Sequence, residues 1–499
     1  MIFLGIDCGT QSTKTVALDW ESGQIVASSK QAYGFIEGLP PGSFEQNPED
    51  WIDAAEHTIS DVLRQLGPRS EEVRSIGVSG QQHGLVVLDK NHKVVRPAKL
   101  WCDTSTSAEA AAITEHFGGD KGVIALVGNT MRSGYTAPKI LWMRKNEPQN
   151  WLKATSVLLP HDYINFWLTG VFRMEFGDAS GTALLDVETR RWATKVVNFV
   201  ADDLFGKLPE LSSSRETHGE LRAGLCRKWG LSKPPTVSAG GGDNMMSAIG
   251  TGNIQPGAVT ASLGTSGTLF AYSTSPVVDP KGEVAAFCDS TDNWLPLVCT
   301  MNLTLVSEHV GGIFHWNHEE MDTVLRSVPA GSGGLILLPY LTGERTPDLP
   351  QGTGVFHGLS LENFKPEYMA RAAVEGAILG LGYGLQRFRE LGIAPAEIRL
   401  TGGGSNSPLW RQICADVFGV PTVCLKSGEG AGLGAAIQAG WTWNKENGSD
   451  ASLQETCERL VQTDPASRSE PDSATTKVYQ DVLARATRLR EALHAEKLL

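Results

Sequence analysis

Two segments far apart in the chain repeat one pattern: an apolar strand, a short loop of glycine and hydroxyl residues, and a second strand. The first copy covers residues 2 to 18 around the loop GTQSTK (9–14), and the second covers residues 258 to 272 around GTSGT (264–268). Such a repeat predicts two related halves, each built on a hairpin. The N–H groups and hydroxyls of these loops suit phosphate, although an ordinary tight hairpin has the same pattern.

The length of the chain agrees with this division. A chain of 499 residues is too long for one ordinary core, so we predict one domain over residues 1–249 and a second over 250–445. Residues 446–499 differ in composition. The Ser-, Asp- and Pro-rich residues 462–475 predict a linker before a final helix from about Lys477 to Leu498.

Composition excludes several classes of protein. A net charge of -13 makes a nucleic-acid-binding or acidic membrane surface unfavourable. The 8 cysteines are scattered without a CxxC pair, which favours reduced thiols in a cytoplasmic protein over a zinc site or a disulfide framework. The amino-terminal residues do not resemble a signal peptide, and no stretch is apolar enough to predict a membrane span.

The segment PTVSAGGGDNMMSAIG (235–250) predicts a buried strand, a tight glycine turn and a helix. The three glycines allow the backbone to approach a ligand closely. Asp243 follows them and can act as a catalytic acid or base, with Asn244 beside it. Because Asp is also a good helix N-cap, a purely structural turn is the alternative.

Two further polar segments follow predicted strands. In SGQQHG (79–84), Gln82 and His83 suit hydrogen bonding to a polyol better than metal binding, because no other ligand residues lie nearby; a structural histidine is the alternative. In LWCD (100–103), which we predict to close a strand, Trp101 could pack on a sugar face and Asp103 could bind a hydroxyl. A core Trp and a capping Asp would leave the same pattern. Asp178 is a weaker candidate contact, in a predicted turn.

Glycine also marks the second half of the chain. After a predicted strand over residues 397–401, the run GGGSN (402–406) permits a flat ligand to lie on the backbone, with Asn406 beside it. The run GAGLGA (430–435) matches a dinucleotide-binding pattern, but it lies in a Gly/Ala-rich helix, and we predict helix packing there. No GxxxxGK[ST] loop is present, which excludes a P-loop kinase.

Taken together, these motifs resemble the FGGY family of carbohydrate kinases, which have the actin-like ATPase fold. The motifs that carry the resemblance occur in the family's order over about residues 2 to 440: GIDCGTQSTK (5–14), SGQQHG (79–84), LWCD (100–103), YTAPKILW (135–142), GDASGTALLD (177–186), AGGGDN (239–244), SLGTSGT (262–268), LPYLTGERTP (338–347) and LTGGGSNSPLWRQ (400–412). The resemblance implies an α/β fold of two actin-like ATPase (ribonuclease H-like) domains with a central cleft.

The resemblance also implies roles for individual residues. Asp243 matches the general base, and Asp7 matches the acid that is associated with Mg²⁺. Asp243 is assigned to the Mg²⁺ site as well. The sugar contacts implied are Gln82, His83, Trp101, Asp103 and Asn244. The contacts implied for ATP are Thr10, Gln11, Ser12 and Lys14 in the first loop, Gly264 and Thr265 in the second, and Gly403, Gly404 and Asn406 at the adenosine.

The implied activity is ATP-dependent phosphorylation of a sugar by a cytoplasmic enzyme, with ATP and Mg²⁺ as cofactors and a homodimer as the assembly. The pairing of QQHG with YLTGERTP resembles the members that act on D-xylulose more than those that act on glycerol or ribulose. A kinase for ribulose, L-xylulose or glycerol is one alternative. An actin- or chaperone-like ATPase switch is another, because fold alone does not separate them.

Overall fold

The computed structural model describes residues 1–499, which form two compact units. Unit 1 comprises residues 1–254, 272–296 and 429–461. Unit 2 comprises residues 255–271, 297–428 and 462–499. The chain therefore passes from unit 1 to unit 2 and back more than once. The assignment of sugar binding to residues 1–249 and of nucleotide binding to residues 250–445 stays a prediction.

Unit 1 is built on a mixed sheet. Its strand order is Thr217–Glu220, Thr236–Ser238, Val73–Gly80, Ile2–Cys8, Ser12–Asp19 and Ile25–Ala32, and Gly241–Gly242 adds to the end of Val73–Gly80. The last three strands are joined as antiparallel neighbours. Ile2–Cys8, Val73–Gly80 and Thr236–Ser238 run parallel, and Thr217–Glu220 is antiparallel to its neighbour.

Unit 2 repeats this arrangement. Its strands lie in the order Trp294–Thr300, Gly267–Ala271, Ala258–Leu263, Glu397–Thr401, Thr422–Leu425 and Thr463–Ser469. Again three antiparallel strands come first, two parallel steps follow, and the final strand is antiparallel. In each unit a long helix, Pro48–Leu66 or Pro366–Glu390, comes in sequence after the third strand of the antiparallel set. It precedes the strand that pairs in parallel with the first one, which is Val73–Gly80 or Glu397–Thr401. The predicted pair of related halves is confirmed.

The remaining elements surround these sheets. The other helices of unit 1 are Ser107–His116, Asp120–Val127, Thr136–Asn146, Pro148–Lys153, Pro160–Thr169, Phe176–Ser180, Thr194–Val200, Ala223–Lys228, Asp243–Gly250, Gly430–Glu446 and Leu453–Leu460. Those of unit 2 are Thr304–Phe314, His318–Arg326, Pro408–Phe418 and Ser473–Ala495. Short 3-10 turns are Gly67–Glu72, Leu204–Gly206, Ser332–Gly334 and Gly403–Asn406. Short strands are Glu45–Gln46, Val86–Asp89, Ala98–Lys99, Ala154–Leu158, Arg173–Glu175, Leu185–Asp186, Arg191–Trp192, Glu210–Ser212, Ala285–Cys288, Ile336–Pro339 and Gly354–His357.

The GAGLGA run is packed as predicted. The helix Gly430–Glu446 lies against the unit 1 sheet so closely that a methyl group added at Gly5 would sit 1.9 Å from the Gly432 carbonyl oxygen. A methyl group added at Gly77 would lie 2.1 Å from the Ala435 carbonyl oxygen. Glycines on both surfaces therefore allow the backbones to approach, and this run makes the contact of a packed helix.

Three local predictions are wrong. The first hairpin loop is shorter than residues 9–14, because Ser12–Asp19 is already strand and Gly9 N–H bonds to the Ser12 carbonyl at 3.0 Å. The LWCD segment does not close a strand: the strand is Ala98–Lys99, and Trp101 and Cys102 form a turn. Residues 462–475 are not a linker throughout, because Thr463–Ser469 pairs with Thr422–Leu425 at the sheet edge.

The core of unit 1 lies on both faces of its sheet. Ile2, Leu4 and Ile6 face the same layer as Trp51 and Ile59 of the helix Pro48–Leu66, and all are almost fully buried. Both faces of the first strand are therefore covered, one by the helix Pro48–Leu66 and the other by the helix Gly430–Glu446. No helix in the chain combines the length and apolar character that crossing a bilayer requires.

Candidate functional site

Asp243 is the first residue of the helix Asp243–Gly250 and directly follows Gly241–Gly242, which pair with Ser79 and Gly80 at the end of a parallel strand. Its Oδ1 accepts hydrogen bonds from the Asn244 backbone N–H at 2.8 Å and from Asn244 Nδ2 at 3.1 Å. Oδ2 accepts none from another residue. Burial, together with the charges of Asp7 and Asp178, raises the pKa of Asp243 to about 7. Such a carboxylate suits proton transfer near neutral pH.

Asp7 lies near the end of the first strand, close enough for its charge to raise the pKa of Asp243. Its Oδ1 accepts a hydrogen bond from Ser79 Oγ at 3.0 Å. Burial raises the pKa of Asp7 to about 6, against the opposing effect of the Ser79 bond. Two carboxylates, each with one oxygen free of side-chain donors, fit Mg²⁺, which takes few protein ligands and keeps several waters. No cluster of three or more metal-binding side chains is present.

The first hairpin loop presents Thr10 at its tip. Thr10 Oγ1 donates to Gln81 Oε1 at 3.3 Å and accepts from Trp101 Nε1 at 2.9 Å, which brings two separately predicted subsites together. Lys14 lies within the second strand, and its ammonium group forms an ion pair with Glu429 in the same unit. Gln11 is exposed at the loop, and Ser12 begins the strand.

Gln82 and His83 follow the central strand and are both buried. Gln82 Oε1 accepts from Asn244 Nδ2 at 2.9 Å, so a predicted sugar contact is bonded to the residue after Asp243. His83 has a left-handed backbone, with φ of 64°. Its carbonyl accepts from the buried Lys139 ammonium at 2.7 Å and from Thr136 Oγ1 at 3.1 Å, which stabilises this conformation. Its ring packs on Tyr135 with centroids 4.8 Å apart.

Asp103 has a different environment from the other candidates. It is fully buried, and its carboxylate accepts from Phe44 N–H at 2.9 Å, Ser105 N–H at 2.9 Å and Lys99 Nζ at 3.2 Å. These bonds give Asp103 a structural role in holding the turn that carries Trp101. Its predicted contact with a sugar hydroxyl stays a prediction.

The glycine turn before Asp243 is held by Gln438, which sequence reasoning missed. Gln438 is fully buried, and its Oε1 accepts from Gly240 N–H at 2.8 Å and Ser238 Oγ at 3.0 Å. Its Nε2 donates to the carbonyls of Gly240 at 3.1 Å and Ser214 at 3.2 Å. One side chain therefore satisfies both backbone groups of Gly240, whose φ of 71° only glycine adopts readily.

His161 and Asp178 were also not predicted together. His161 Nδ1 lies 2.7 Å from Asp178 Oδ2, and both residues are fully buried. Asp178 belongs to the helix Phe176–Ser180, and not to the predicted plain turn. The buried Glu175 caps this helix by accepting from the N–H groups of Gly177 and Asp178. Because the pair is separated by 17 residues, no local spacing indicates it.

Unit 2 contains its own cavity of about 1090 Å³. The predicted nucleotide contacts Gly264, Thr265, Gly403, Gly404 and Asn406 all line it. Trp316 and Asp322, which sequence reasoning did not single out, line it as well. Ser407 Oγ donates to both Asp322 oxygens, at 2.7 and 2.9 Å. The NHEE capping box at Asn317 was a readable signal for the helix that supplies Asp322.

Comparisons with known proteins agree with this arrangement. The chain is 41% identical over 490 residues to a protein named xylulose kinase from Haemophilus influenzae, covering 97% of this chain and 98% of the relative. It is 32% identical to a xylulose kinase from Bacillus subtilis, covering 92% and 91%. A solved structure of a "xyloylose kinase" from Brucella ovis matches with a TM-score of 0.92 at 32% identity, covering 99% of this chain and 100% of the other.

Two family models match most of the chain. Residues 2–250 match the N-terminal domain of the FGGY family of carbohydrate kinases, and residues 259–443 match its C-terminal domain. This chain belongs to the FGGY family of carbohydrate kinases.

Proposed function

We propose that this protein transfers the γ-phosphoryl group of ATP to D-xylulose, giving D-xylulose 5-phosphate and ADP. Relatives named xylulose kinase, at 41% and 32% identity over at least 92% of the chain, support the choice of sugar. The observation that carries the chemistry is the environment of Asp243. Its carboxylate is desolvated, its Oδ1 is held by Asn244, and its Oδ2 is left to accept a proton.

The step is an in-line displacement at phosphorus. Asp243 accepts the proton of the C5 hydroxyl as that oxygen forms a bond to the γ-phosphorus. The bond between the γ-phosphorus and the bridging oxygen breaks, and ADP leaves with the electron pair. A positioned general base of this kind contributes about 10²–10⁴-fold to the rate. Gln82, His83 and Asn244 would orient the sugar so that the correct hydroxyl faces Asp243.

The cavity of unit 2 supports the assignment of the nucleotide site. Its volume of about 1090 Å³ is sufficient for a nucleotide, and its wall includes backbone at Gly264, Gly403 and Gly404. A methyl group added at Gly403 would meet nothing within 4 Å, so this backbone is open to a flat ligand. Asn406 would supply polar contacts at the adenosine, and Thr265 a hydroxyl at the phosphates.

The proposed reaction includes Mg²⁺, because the carboxylates of Asp7 and Asp243 suit this ion and would hold it directly or through water. When bound, it neutralises charge on the phosphate oxygens as ADP leaves. Lys14 adds a positive charge on the same strand pair, where it lies in register opposite Asp7. Its ion pair with Glu429 keeps its position defined before phosphate is present.

The cytoplasmic location and the homodimer also remain proposals. All eight cysteines are free thiols, which agrees with a reducing compartment. The family resemblance alone suggests the dimer, and sedimentation equilibrium would test it.

The experiment that tests the proposed function measures ADP release with Mg-ATP against D-xylulose, L-xylulose, D-ribulose, L-ribulose, glycerol and no sugar. We expect kcat/KM to be highest for D-xylulose. A clear preference for another sugar would retain the kinase chemistry but overturn the substrate. ATP hydrolysis that no sugar stimulates would overturn the kinase assignment in favour of an ATPase switch.

A further inference from the structure

Three consecutive carbonyl groups of the first hairpin loop are held by groups from outside the loop. The Gly9 carbonyl accepts from the Tyr33 hydroxyl at 2.7 Å, and the Gln11 carbonyl accepts from the Tyr33 N–H at 3.1 Å. The carbonyl between them, that of Thr10, accepts from Gln46 Nε2 at 2.7 Å. By contrast, the N–H groups of Thr10 and Gln11 have no hydrogen-bond partner in the chain. The acceptors of the loop are therefore occupied, while two of its donors are free.

Holding these carbonyls also fixes the direction of the free N–H groups. A trans peptide is planar, with its C=O and N–H on opposite sides, and both peptide bonds between Gly9 and Gln11 are trans. Because Tyr33 holds the Gly9 carbonyl, the Thr10 N–H of the same peptide points the opposite way. Because Gln46 holds the Thr10 carbonyl, the Gln11 N–H points away from Gln46. Neither peptide can rotate without breaking a hydrogen bond of 2.7 Å.

Gln46 is fully buried, and all four of its hydrogen-bonding positions are used. Its Oε1 accepts from Trp51 Nε1 and from Gln81 Nε2, each at 3.0 Å. Its Nε2 donates to the Gly34 carbonyl at 3.2 Å as well as to that of Thr10. An indole N–H can only donate, so it must face Oε1, which leaves Nε2 to face the two carbonyls. The buried Trp51 therefore fixes the orientation of the Gln46 amide.

Tyr33 is held in place on its own side of the loop. It directly follows the strand Ile25–Ala32, and its hydroxyl lies 3.2 Å from Thr13 Oγ1 and 3.4 Å from Cys8 Sγ. Burial raises the pKa of this phenol, so it keeps the proton that it donates to Gly9. Tyr33 and Gln46 thus come from different elements and act on neighbouring peptides of one loop.

We propose that Gln46 and Tyr33 are positioning residues that present two backbone N–H groups of the first hairpin loop to a phosphate group of ATP. These are the N–H groups of Thr10 and Gln11. A phosphate is a negatively charged acceptor, so successive N–H groups attract it, whereas exposed carbonyl oxygens would repel it. Neither Gln46 nor Tyr33 touches the ligand in this scheme. The inference rests on the proposed function, which makes ATP the phosphate donor.

The test compares the affinity of the full chain for Mg-ATP with that for adenosine, which has no phosphate, by calorimetry without sugar. Tyr33→Phe keeps the aromatic ring and the backbone N–H but removes the donor for the Gly9 carbonyl. Gln46→Met keeps a side chain of similar size but removes the donor for the Thr10 carbonyl and the link to Gln81. We expect the Kd for Mg-ATP to rise about threefold or more in Tyr33→Phe and about tenfold or more in Gln46→Met. The Kd for adenosine should stay within twofold in both, because adenosine has no group for this loop to bind.

Matched controls make the same substitutions elsewhere in unit 1. Tyr163→Phe alters a buried tyrosine of the helix Pro160–Thr169, and Gln65→Met alters a glutamine whose amide bonds the backbone of Ser28. Both controls should leave the Kd for Mg-ATP within twofold of wild type. If Gln46→Met does not fold, Tyr33→Phe carries the test, because it keeps the aromatic ring and its packing.

Outcomes that overturn the inference are distinct from those that overturn the proposed function. A Kd for Mg-ATP within twofold of wild type in every variant of Tyr33 and Gln46 that folds would overturn the positioning role. Equal losses of affinity for Mg-ATP and adenosine would overturn it as well, because they would indicate a general structural defect. If wild type binds Mg-ATP but phosphorylates no sugar, the proposed function fails, whereas a loss confined to Mg-ATP in these variants would still support the positioning role.

Discussion

The indole nitrogen of Trp101 donates a hydrogen bond to the hydroxyl of Thr10 at 2.9 Å. Trp101 is a predicted sugar contact and Thr10 belongs to a predicted phosphate loop, so this bond connects two parts of unit 1 for which different substrates are predicted. The Thr10 hydroxyl also donates to Gln81, which in turn donates to Gln46 at 3.0 Å. The loop is therefore tied to the strand that leads to Gln82.

The bond between Trp101 and Thr10 predicts coupled effects of mutation. Trp101→Phe keeps an aromatic ring but removes the donor, so the Thr10 hydroxyl loses one fixed partner. One hydrogen bond contributes about 0.5–1.5 kcal/mol, which corresponds to a rise of roughly 2- to 12-fold in KM. We expect KM to rise for both ATP and D-xylulose in steady-state kinetics. A rise confined to D-xylulose would show that the bond does not position the loop.

The environment of Asp243 predicts a pH dependence. A base must be unprotonated to accept a proton, and burial with the charges of Asp7 and Asp178 raises the pKa of Asp243 to about 7. Turnover should therefore reach a plateau above this pH and fall about tenfold per pH unit below it. Because a nearby cation lowers the pKa of a carboxylate, the midpoint should move to lower pH as free Mg²⁺ is increased. A profile that is flat from pH 5 to 8 would contradict this, provided that the coupling enzymes are not limiting.

Gln438 should be needed for the glycine turn. Gln438→Leu leaves the N–H and carbonyl groups of Gly240 buried without their partner, at a cost of about 2 kcal/mol or more. We expect a lower Tm by calorimetry and a reduced kcat, because Asp243 follows Gly240 by three residues. The matched control is Gln454→Leu at an exposed position of the helix Leu453–Leu460, which should change stability by about 0.5 kcal/mol at most. Equal Tm values for the two variants would refute the role of Gln438.

The open backbone at Gly403 should be a binding surface for the nucleotide. A Cβ atom added there meets nothing within 4 Å, so we expect Gly403→Val to fold normally and to occupy space in the cavity of unit 2. We expect KM for ATP to rise at least tenfold, KM for D-xylulose to stay within twofold, and Tm to be unchanged. Gly206→Val, at another open glycine, is the control and should not affect either KM. Unaltered ATP kinetics in Gly403→Val would remove Gly403 from the nucleotide site.

Much of the fold could be predicted because each copy of the repeated hairpin is encoded by one short, continuous segment of sequence. The strands near residues 2–18 and 258–272 are apolar runs separated by glycine and hydroxyl residues, and their pairing needs no distant contact. Asp243 was also predictable, since a strand, three glycines and a helix leave it at the turn whatever surrounds them. Thr463–Ser469 was missed because it is a polar edge strand with Pro465 inside it, and such strands lack an alternating pattern.

The parts that could not be predicted depend on contacts between distant segments. LWCD was predicted to close a strand because Leu100 to Cys102 is apolar, but Trp101 and Cys102 form a turn and are only partly buried, and an apolar run alone does not separate the two. His161 and Gln438 act on residues from other helices and loops, and Gln438 is 198 residues from the Gly240 it holds. No spacing in the sequence encodes such pairs.

The measurement that tests the central claim most directly compares Asp243→Asn with wild type. Asparagine keeps the shape of the side chain and an acceptor for Asn244 N–H, but it cannot take a proton from the sugar. We predict that kcat with D-xylulose and Mg-ATP falls by about 10²–10⁴-fold, while calorimetric binding of D-xylulose stays within about threefold. A kcat within tenfold of wild type would contradict the assignment of Asp243 as the general base.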